Sequence, residues 1–466
     1  VRREAVALAQ AGHSVTVVGS ADPTHPAGPG APIGPVQVTL VAPDPGYPYI
    51  RAPWRYVEAA VADARGRLQQ GPRRWPGAVR KLLAATIVLP WVALRGGWVS
   101  IVNRLLGRPV NMHALDFAHR WRADITGWAQ AALVVAPAAD IHHAHDLEAL
   151  PAAILAARRD AGLVVYDKHE LFTGKRWLAA QPGWARRAVE VWERRTVRSV
   201  SALITVNTAV AAVLQARLHP RRTTVVHNCP PRWTPPSDAS DPLRAALGLA
   251  AETPIALYHG GLARHRGIEE LIAAIREPGL EAVHAVFLGY GAFEAELRAM
   301  AADPAQRGRV HVLPAVTPDE LLAWIAPADV AVLAIQPNTQ NHRLSTPNKL
   351  FEAIAAGVPV VASDFPAIRP IVADDPGGPL GVLVDPTDVG AVAGAIRGLL
   401  DLPPSERATL RARCFAAARE RWNWEIESAR LVALYAELVA LRATEILPVE
   451  APSEPVTSVV GPGSAA

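Results

Sequence analysis

Cysteine is nearly absent from this sequence. Cys229 and Cys414 are the only two cysteines among 466 residues. So few cysteines provide neither a disulfide framework nor the ligand spacing of a cysteine metal site, as is usual in a reducing compartment. We therefore expect a cytoplasmic protein, with the inner face of the cell membrane as an alternative location.

A strong charge of either sign is also missing. The formal net charge is +4 and the sequence pI is near 9.3. This balance is too weak to indicate nucleic-acid binding, but it favours anionic substrates or peripheral contact with an anionic membrane.

The sequence shows no signal peptide, no internal repeat and no opening methionine. It begins with a helical pattern at residues 2–10, and strand patterns follow at residues 13–18 and 36–41. A βαβ unit would place another strand before that helix. We therefore expect the sequence to be truncated at its N-terminus.

Two domains fit the length of the chain and the alternation of its patterns. Strand patterns alternate with helical patterns in both halves, which predicts α/β domains with doubly wound parallel sheets. We predict a first Rossmann-like domain at 1–228, a Pro-rich linker at 229–253 and a second Rossmann-like domain at 254–403. Further helices are predicted at 404–446, and a disordered tail at 447–466.

A segment rich in tryptophan and arginine interrupts the first domain at about residues 54–135. Residues 82–102 are nearly apolar but contain Pro90, Arg95 and two glycines, so they are marginal as a membrane span. The segment fits a helical hairpin that packs on the domain, or an interfacial helix on a membrane surface. These two interpretations and a true membrane span all stay open.

The most informative stretch is Ser-Thr-Pro-Asn-Lys-Leu-Phe-Glu at residues 345–352. It predicts a helix with Pro347 in its first turn, ending at Gly357. The free amides of that first turn, with Asn348 and Lys349, make an anion site. Glu352 lies one turn further on and can accept hydrogen bonds from a diol. A solvated surface pair of Lys349 and Glu352 is the alternative.

A second anion-binding loop follows the first strand pattern of the second domain. Gly260 and Gly261 let the backbone approach a phosphate, and Arg264 and Arg266 supply positive charge just before a helix begins. Gly289 and Gly291 follow the next strand pattern and would also permit close approach.

Polar side chains end three strand patterns of the first domain. They are His145 with Asp146, Asp167 with His169 and Glu170, and Asn228 after His227. Carboxyl ends of parallel strands meet at one edge, where ligands bind. Each residue taken singly could instead be a capping or core group, but their common edge indicates a site.

The two loops, the 345–352 helix and the strand ends together resemble the retaining glycosyltransferases of family 4, in the branch with Pro-Asn-Lys before Phe-Glu. The resemblance covers most of the chain outside the Trp-rich segment. It implies the GT-B fold, in which two Rossmann-like domains face each other across a cleft and C-terminal helices cross back to the first domain. It also implies that the first domain takes the acceptor and the second takes a nucleoside-diphosphate sugar.

The resemblance assigns roles to the residues named above. Arg266, Lys349 and His145 are the expected catalytic residues. The donor would be bound by Gly260, Gly261, Arg264, Gly289, Gly291, Asn348 and Glu352. The acceptor side would comprise Asp146, Asp167, His169, Glu170 and Asn228. No cofactor and no metal are expected, because the cationic side chains take the place of a metal ion and no Asp-x-Asp motif is present.

Two departures from the family pattern bear on activity. The family often has arginine at the position of Gly261, and glutamate at the position of Leu344. A non-catalytic nucleotide-sugar-binding subunit of a glycan-assembly complex is therefore the alternative to a retaining hexosyltransferase. An epimerase on the same fold is a third hypothesis, but the paired acids it needs are not evident.

The Trp-rich segment favours a glycan or lipid-linked acceptor in cell-envelope synthesis.

Overall fold

The computed structural model describes residues 1–22, 25–42, 121–172, 178, 181–236 and 241–446. These residues form two α/β domains, each built on parallel strands. The Trp-rich segment up to residue 120, including residues 82–102, and the tail after residue 446 lie outside this described part. The predictions made for them stay predictions.

The first domain divides its strands between two sheets. Its elements are α1 (Arg2–Gln10), β1 (Thr16–Ser20), β2 (Gly28–Pro29), β3 (Gln37–Val41), a π-helix (Trp121–Gly127), α2 (Trp128–Val135), β4 (Ile141–His145), α3 (Asp146–Asp160), β5 (Leu163–Lys168), α4 (Gly183–Val197), β6 (Ala202–Thr205), α5 (Thr208–Leu218) and β7 (Thr223–Val225). The larger sheet is parallel with the order β4-β5-β6-β7, and the smaller one has the order β1-β3-β2.

The second domain carries one continuous sheet of six parallel strands. The elements from here to the end are α6 (Pro242–Leu247), β8 (Ile255–His259), α7 (Ile268–Ala274), β9 (His284–Leu288), α8 (Glu294–Ala301), a 3-10 turn (Pro304–Gln306), β10 (Val310–Leu313), α9 (Leu321–Ile325), β11 (Val330–Leu333), α10 (Gln340–Arg343), α11 (Asn348–Ala355), β12 (Val360–Ser363), α12 (Arg369–Val372), β13 (Gly381–Val384), α13 (Val389–Leu400), α14 (Pro404–Glu420) and α15 (Trp424–Ile446).

The strand order of the second sheet, β10-β9-β8-β11-β12-β13, reverses direction between β8 and β11. A crevice opens at such a reversal, at the carboxyl ends of the strands, and ligands of open α/β sheets bind there. The sequence prediction of a doubly wound parallel sheet is confirmed.

Alternating residues of β8 build the cores on the two faces of this sheet. Ile255 and Leu257 belong to the cluster that α11 and α14 cover, whereas Ala256 and Tyr258 belong to the cluster beneath α7 and α13. Both faces are apolar because both are covered, which is typical of parallel sheets.

Helix α15 crosses back to the first domain, as predicted. Leu431, Leu434 and Leu438 pack against Val165 and Ile204 of the first sheet. The crossing is also held by a buried carboxylate, because Glu427 accepts hydrogen bonds from the backbone N–H and from the ring of His227.

The segment predicted as a linker contains a helix that the sequence analysis did not predict, α6. Asp241 caps it by accepting a hydrogen bond from the Arg244 amide at 2.9 Å, and Pro242 occupies its first turn. Leu243 is fully buried in the core of the second domain. Among the described residues, every helix is too short or too polar to cross a membrane.

Candidate active site

A cleft of about 580 Å³ lies between the two domains. It collects predicted residues from both: Arg266 and Asn348 from the second domain, and Asp146, Asp167, His169, Glu170 and Asn228 from the first. Residues from distant parts of the chain thus share one cavity.

Helix α11 presents its amino end at this cleft. It begins at Asn348, with Pro347 as the residue just before it rather than in its first turn, which corrects the predicted position of the proline. No side chain of the described part caps this helix end. The first-turn amides are therefore available to an anion.

Lys349 lies in the first turn of α11 and contacts the loop after β8. Its Nζ atom is 3.5 Å from the centroid of the Tyr258 ring, and its Cε atom comes within 3.5 Å of the Cβ position of Gly260. Burial lowers the pKa of Lys349 well below its ordinary value, and the positive charge of Arg266 lowers it further. The two predicted cations are close enough to repel each other, so a bound anion would relieve that repulsion.

Glu352 is held by a histidine that the sequence analysis missed. His259, at the end of β8, is fully buried, and its Nε2 atom lies 3.1 Å from Glu352 Oε2. Burial lowers the pKa of His259 against the opposing effect of Glu352, so a neutral imidazole orients the carboxylate. His259 directly precedes Gly260 in the sequence, and this position beside a predicted donor-binding glycine could have indicated that His259 belongs to the site.

Glycine is present after β8 and after β9 for different structural reasons. A Cβ atom on Gly289 would lie 2.0 Å from the carbonyl oxygen of Gly260, and one on Gly291 would lie 2.1 Å from that of Leu262. These two glycines are needed where one loop packs on the other. At Gly261 no atom of the described residues, apart from its chain neighbours, lies within 4 Å of the Cβ position, so that space is open to a ligand.

The structure separates the two arginines of the loop after β8. Arg266 lines the cleft. Arg264 does not line it, and its guanidinium group donates hydrogen bonds to both carboxylate oxygens of Glu296, at 2.6 and 2.7 Å. Arg264 would have to leave Glu296 to reach a ligand bound at Lys349.

The acceptor half of the cleft is organised around Asp167, which is only 1% exposed. Its Oδ2 atom lies 3.0 Å from both His145 Nδ1 and His169 Nε2, and 3.6 Å from His143 Nε2. Burial opposes the ionisation of Asp167, but the three imidazoles outweigh it and hold the pKa well below its usual value.

The pKa values of the histidines around Asp167 are shifted in opposite directions. The hydrogen bond to Asp167 raises the pKa of His169 to about 9, whereas burial lowers the pKa of His145. His169 is therefore cationic at neutral pH and His145 is neutral. His143 was not predicted as a site residue, although it lies two positions before His145 and points to the same side of β4.

Asparagines fasten the two domains together beside the cleft. The Asn341 side chain accepts a hydrogen bond from the Leu171 amide and donates to Glu170 and to the Leu171 carbonyl. Asn228 donates to the Asn348 side-chain oxygen at 3.0 Å. Asn341 was not predicted, since nothing near it in the sequence indicates its partner.

Leu344 has a packing role. Its side chain packs against the apolar core of the first domain, and its carbonyl accepts a hydrogen bond from Asn207 at 2.8 Å. An apolar residue at this position therefore contributes to contact between the domains.

Two family descriptions match the chain. Residues 253–402 match "Glycosyl transferases group 1", and residues 90–229 match "Glycosyltransferase Family 4". A D-inositol 3-phosphate glycosyltransferase from Xylanimonas cellulosilytica is 31% identical over 318 residues, which are 65% of this chain and 73% of the relative. A glycogen synthase from Mycobacterium tuberculosis is 30% identical over 311 residues, which are 64% of this chain and 68% of the relative.

Solved structures share the GT-B fold with this chain. Sucrose-phosphate synthase from Thermosynechococcus elongatus superposes with a TM-score of 0.63 at 18% identity, covering 94% of this chain and 92% of the other. The Anabaena protein HepE, solved with UDP-glucose, gives a TM-score of 0.51 at 20% identity, covering 68% of this chain and 81% of the other. At these identities the likeness concerns the fold.

Proposed function

The chain belongs to glycosyltransferase family 4, and from that premise we propose that it moves a hexosyl unit from a nucleoside-diphosphate sugar to a glycan or lipid-linked acceptor, with retention of configuration. One observation carries the proposal: Arg266 and Asn348, the first residue of α11, line the same cleft, and Lys349 follows Asn348 in the first turn of that helix.

This arrangement suits the diphosphate of the donor. Its charge rises as the bond to the sugar breaks, so fixed cations and free amides stabilise the transition state more than the ground state. In this proposal Lys349 and Arg266 supply that charge, and no metal ion is needed as a cofactor. The open space at Gly261 lets the phosphates approach the backbone.

Glu352 is proposed to bind the ribose of the donor. His259 fixes one of its oxygens at 3.1 Å, and the Glu352 side chain remains 21% exposed and so accessible to two hydroxyl groups. The UDP-glucose bound by HepE supports a donor of this class. A relative named as a mannosyltransferase, the phosphatidyl-myo-inositol mannosyltransferase of Mycolicibacterium smegmatis, supports a hexosyl unit.

The acceptor would enter from the side of Asp146, His169, Glu170 and Asn228. We propose that an oxygen of the departing phosphate deprotonates the acceptor hydroxyl, since that oxygen leaves on the face from which the acceptor attacks when configuration is retained. His145 would contact the transferred sugar. Retention rests on the family resemblance, and the product's anomeric configuration tests it directly by NMR.

The first experiment is a thermal-shift screen of the purified chain against nucleoside diphosphates and their hexose conjugates. A ligand present at 100 times its Kd stabilises the folded state by about 2.7 kcal/mol, enough to raise the Tm measurably. We expect one base to stand out. A screen in which no nucleoside diphosphate shifts the Tm would overturn the proposal.

The second experiment measures turnover of the donor that binds, with and without acceptor sugars. Hydrolysis or transfer above the rate of a Lys349→Ala control is expected. Binding without turnover across the full donor panel would instead favour the non-catalytic nucleotide-sugar-binding subunit.

A further inference from the structure

Four potential metal ligands converge beneath the acceptor half of the cleft. Glu4 from α1, His143 and His145 from β4, and Asp167 from β5 each offer one ligand atom, and these four atoms lie within 4.8 Å of one another. We call these residues the His-carboxylate cluster. It belongs to the first domain, whereas the proposed diphosphate site belongs to the second.

The polar atoms of the cluster are close to oppositely charged groups: Glu4 Oε2 lies 3.0 Å from the Val1 amino group and 3.4 Å from His145 Nε2. Within the described residues, Glu4 Oε2, His143 Nε2 and His145 Nδ1 are all buried, and these charge contacts fall short of hydrogen bonds of full geometry. Buried polar atoms nearly always have partners, and a bound ion is one of the few arrangements that satisfies them otherwise. Here three such atoms lie close together, and the His145 ring stands between the two carboxylates, with Nδ1 toward Asp167 and Nε2 toward Glu4.

The distances from Asp167 to the two histidines of the cluster suit a small tetrahedral ion. Bonds of about 2.0–2.1 Å place neighbouring tetrahedral ligands about 3.3 Å apart. Asp167 Oδ2 lies 3.0 Å from His145 Nδ1 and 3.6 Å from His143 Nε2. The β4–β5 pairing sets this spacing, because His145 and Asp167 are direct partners in the parallel register.

The surroundings of His143 are those of a metal ligand. Its Nδ1 atom lies 2.8 Å from the hydroxyl group of Tyr435, which leaves Nε2 directed into the cluster. A hydrogen bond to the second ring nitrogen commonly orients a metal-binding histidine. Tyr435 is itself buried on α15, so the orientation is fixed by the helix that braces the domain.

We propose that the His-carboxylate cluster binds a divalent transition-metal cation, with Zn²⁺ as the ion that fits best. Two imidazoles and two carboxylates suit zinc in four-coordinate geometry, whereas magnesium and calcium prefer oxygen ligands alone. His169 shares Asp167 Oδ2 and is 40% exposed at its side chain, so it can turn toward solvent when the ion binds.

The bound ion would tie His145 to Asp167, and a His145 held in this way would not contact the transferred sugar. The site therefore stabilises the first domain and restrains a predicted catalytic side chain, and it takes no part in binding the donor diphosphate. The donor site of the proposed function does not depend on this inference, and only the sugar contact proposed for His145 competes with it.

The test is a calorimetric titration of the metal-free full chain with Zn²⁺, without sugar or nucleotide. We expect one site per chain with a Kd of about 1 µM or tighter. His143→Ala should weaken binding at least about 10–100-fold, and Tyr435→Phe should weaken it by a similar factor through the orientation of His143. The matched control is His311→Ala, because His311 forms a second close imidazole pair with His284 at 2.8 Å.

The visible spectrum of the Co²⁺-loaded protein provides an independent measurement. Intense d–d bands indicate tetrahedral coordination and would support the site, and they should be lost in Tyr435→Phe even if His143→Ala does not fold. Zinc binding that is unchanged in His143→Ala, or lost only in His311→Ala, would overturn the inference. So would the absence of any zinc site in the unaltered chain, even in a preparation that transfers sugar.

Discussion

The two halves of the cleft are built in different ways. In the donor half, loops of one continuous sheet pack backbone on backbone, as at Gly289 against Gly260, and a helix end supplies amides. In the acceptor half, side chains from separate elements surround one buried carboxylate, Asp167. The donor half is therefore fixed by main-chain geometry, and the acceptor half by a network of titratable groups.

This difference affects which substitutions each half tolerates and how each half responds to pH and to bound ions. Backbone packing permits few substitutions and fixes the positions of the charged groups, while the lowered pKa of Lys349 makes its charge sensitive to pH. A network of histidines and carboxylates changes its charge and its contacts with pH and with bound ions. A common diphosphate group calls for the first kind of construction, while varied acceptors are compatible with the second.

Replacing one group from each half gives the largest expected contrast. Lys349→Ala removes a cation from the proposed diphosphate site, and kcat/KM should fall about 10²–10³-fold. His145→Ala removes one neutral contact and should lower kcat/KM only about 10-fold. Steady-state kinetics with the identified donor measure both values, with Arg298→Ala as an exposed-cation control. A larger loss in His145→Ala would contradict the proposal that the donor half contributes more to kcat/KM than the acceptor half does.

The importance of backbone packing in the donor half can be tested with two glycines. Gly289→Ala places a methyl group 2.0 Å from the Gly260 carbonyl, so the loops must separate. The free energy of unfolding should fall by about 3 kcal/mol, in the range of severe overpacking. Gly261→Ala, which meets no atom within 4 Å, should leave it unchanged. Denaturant unfolding of both variants measures the contrast, and equal losses would show that the loop packing is not tight.

Glu352 tests whether the donor half recognises the ribose as well as the phosphates. Glu352→Ala should weaken nucleoside-diphosphate affinity about 10–100-fold, since hydrogen bonds to a charged group contribute about 1.5–3 kcal/mol. Calorimetry measures this change, and Glu294→Ala, whose partner is Arg298, provides a control on the same domain. Equal affinities in Glu352→Ala and the unaltered chain would exclude the ribose role.

The sequence predicted the donor half better than the acceptor half. Strand–helix alternation indicated both parallel sheets, and the stretch at 345–352 predicted α11, which the structure has at Asn348–Ala355. These are local patterns, readable from periodicity and from glycine and proline positions. The ion pair of Arg264 with Glu296 joins residues 32 positions apart, and no local sequence pattern indicates it.

The acceptor half depends on still more distant pairs. His143 meets Tyr435 across 292 positions, and Asn341 meets Leu171 across 170. A single sequence carries no local signal for such pairs, because the fold alone brings them together. The polar strand ends predicted a site at this edge, but neither Tyr435 nor Asn341 could be inferred as part of it.

The smallest expected effect is the pH dependence of stability that comes from His169 in the acceptor half. Contact with Asp167 raises the pKa of His169 to about 9, above its ordinary value of 6.5. The stabilisation from this contact is therefore fully present below about pH 6.5 and is lost as the pH rises through about 9. His169→Gln should lower the Tm most at about pH 6, and the difference from the unaltered chain should shrink toward about pH 10. Thermal unfolding across this range measures the difference, and a constant gap would mean that His169 contributes packing rather than charge. Because the His169 side chain is 40% exposed, solvent screens the interaction, so we expect a shift in Tm of only a few degrees.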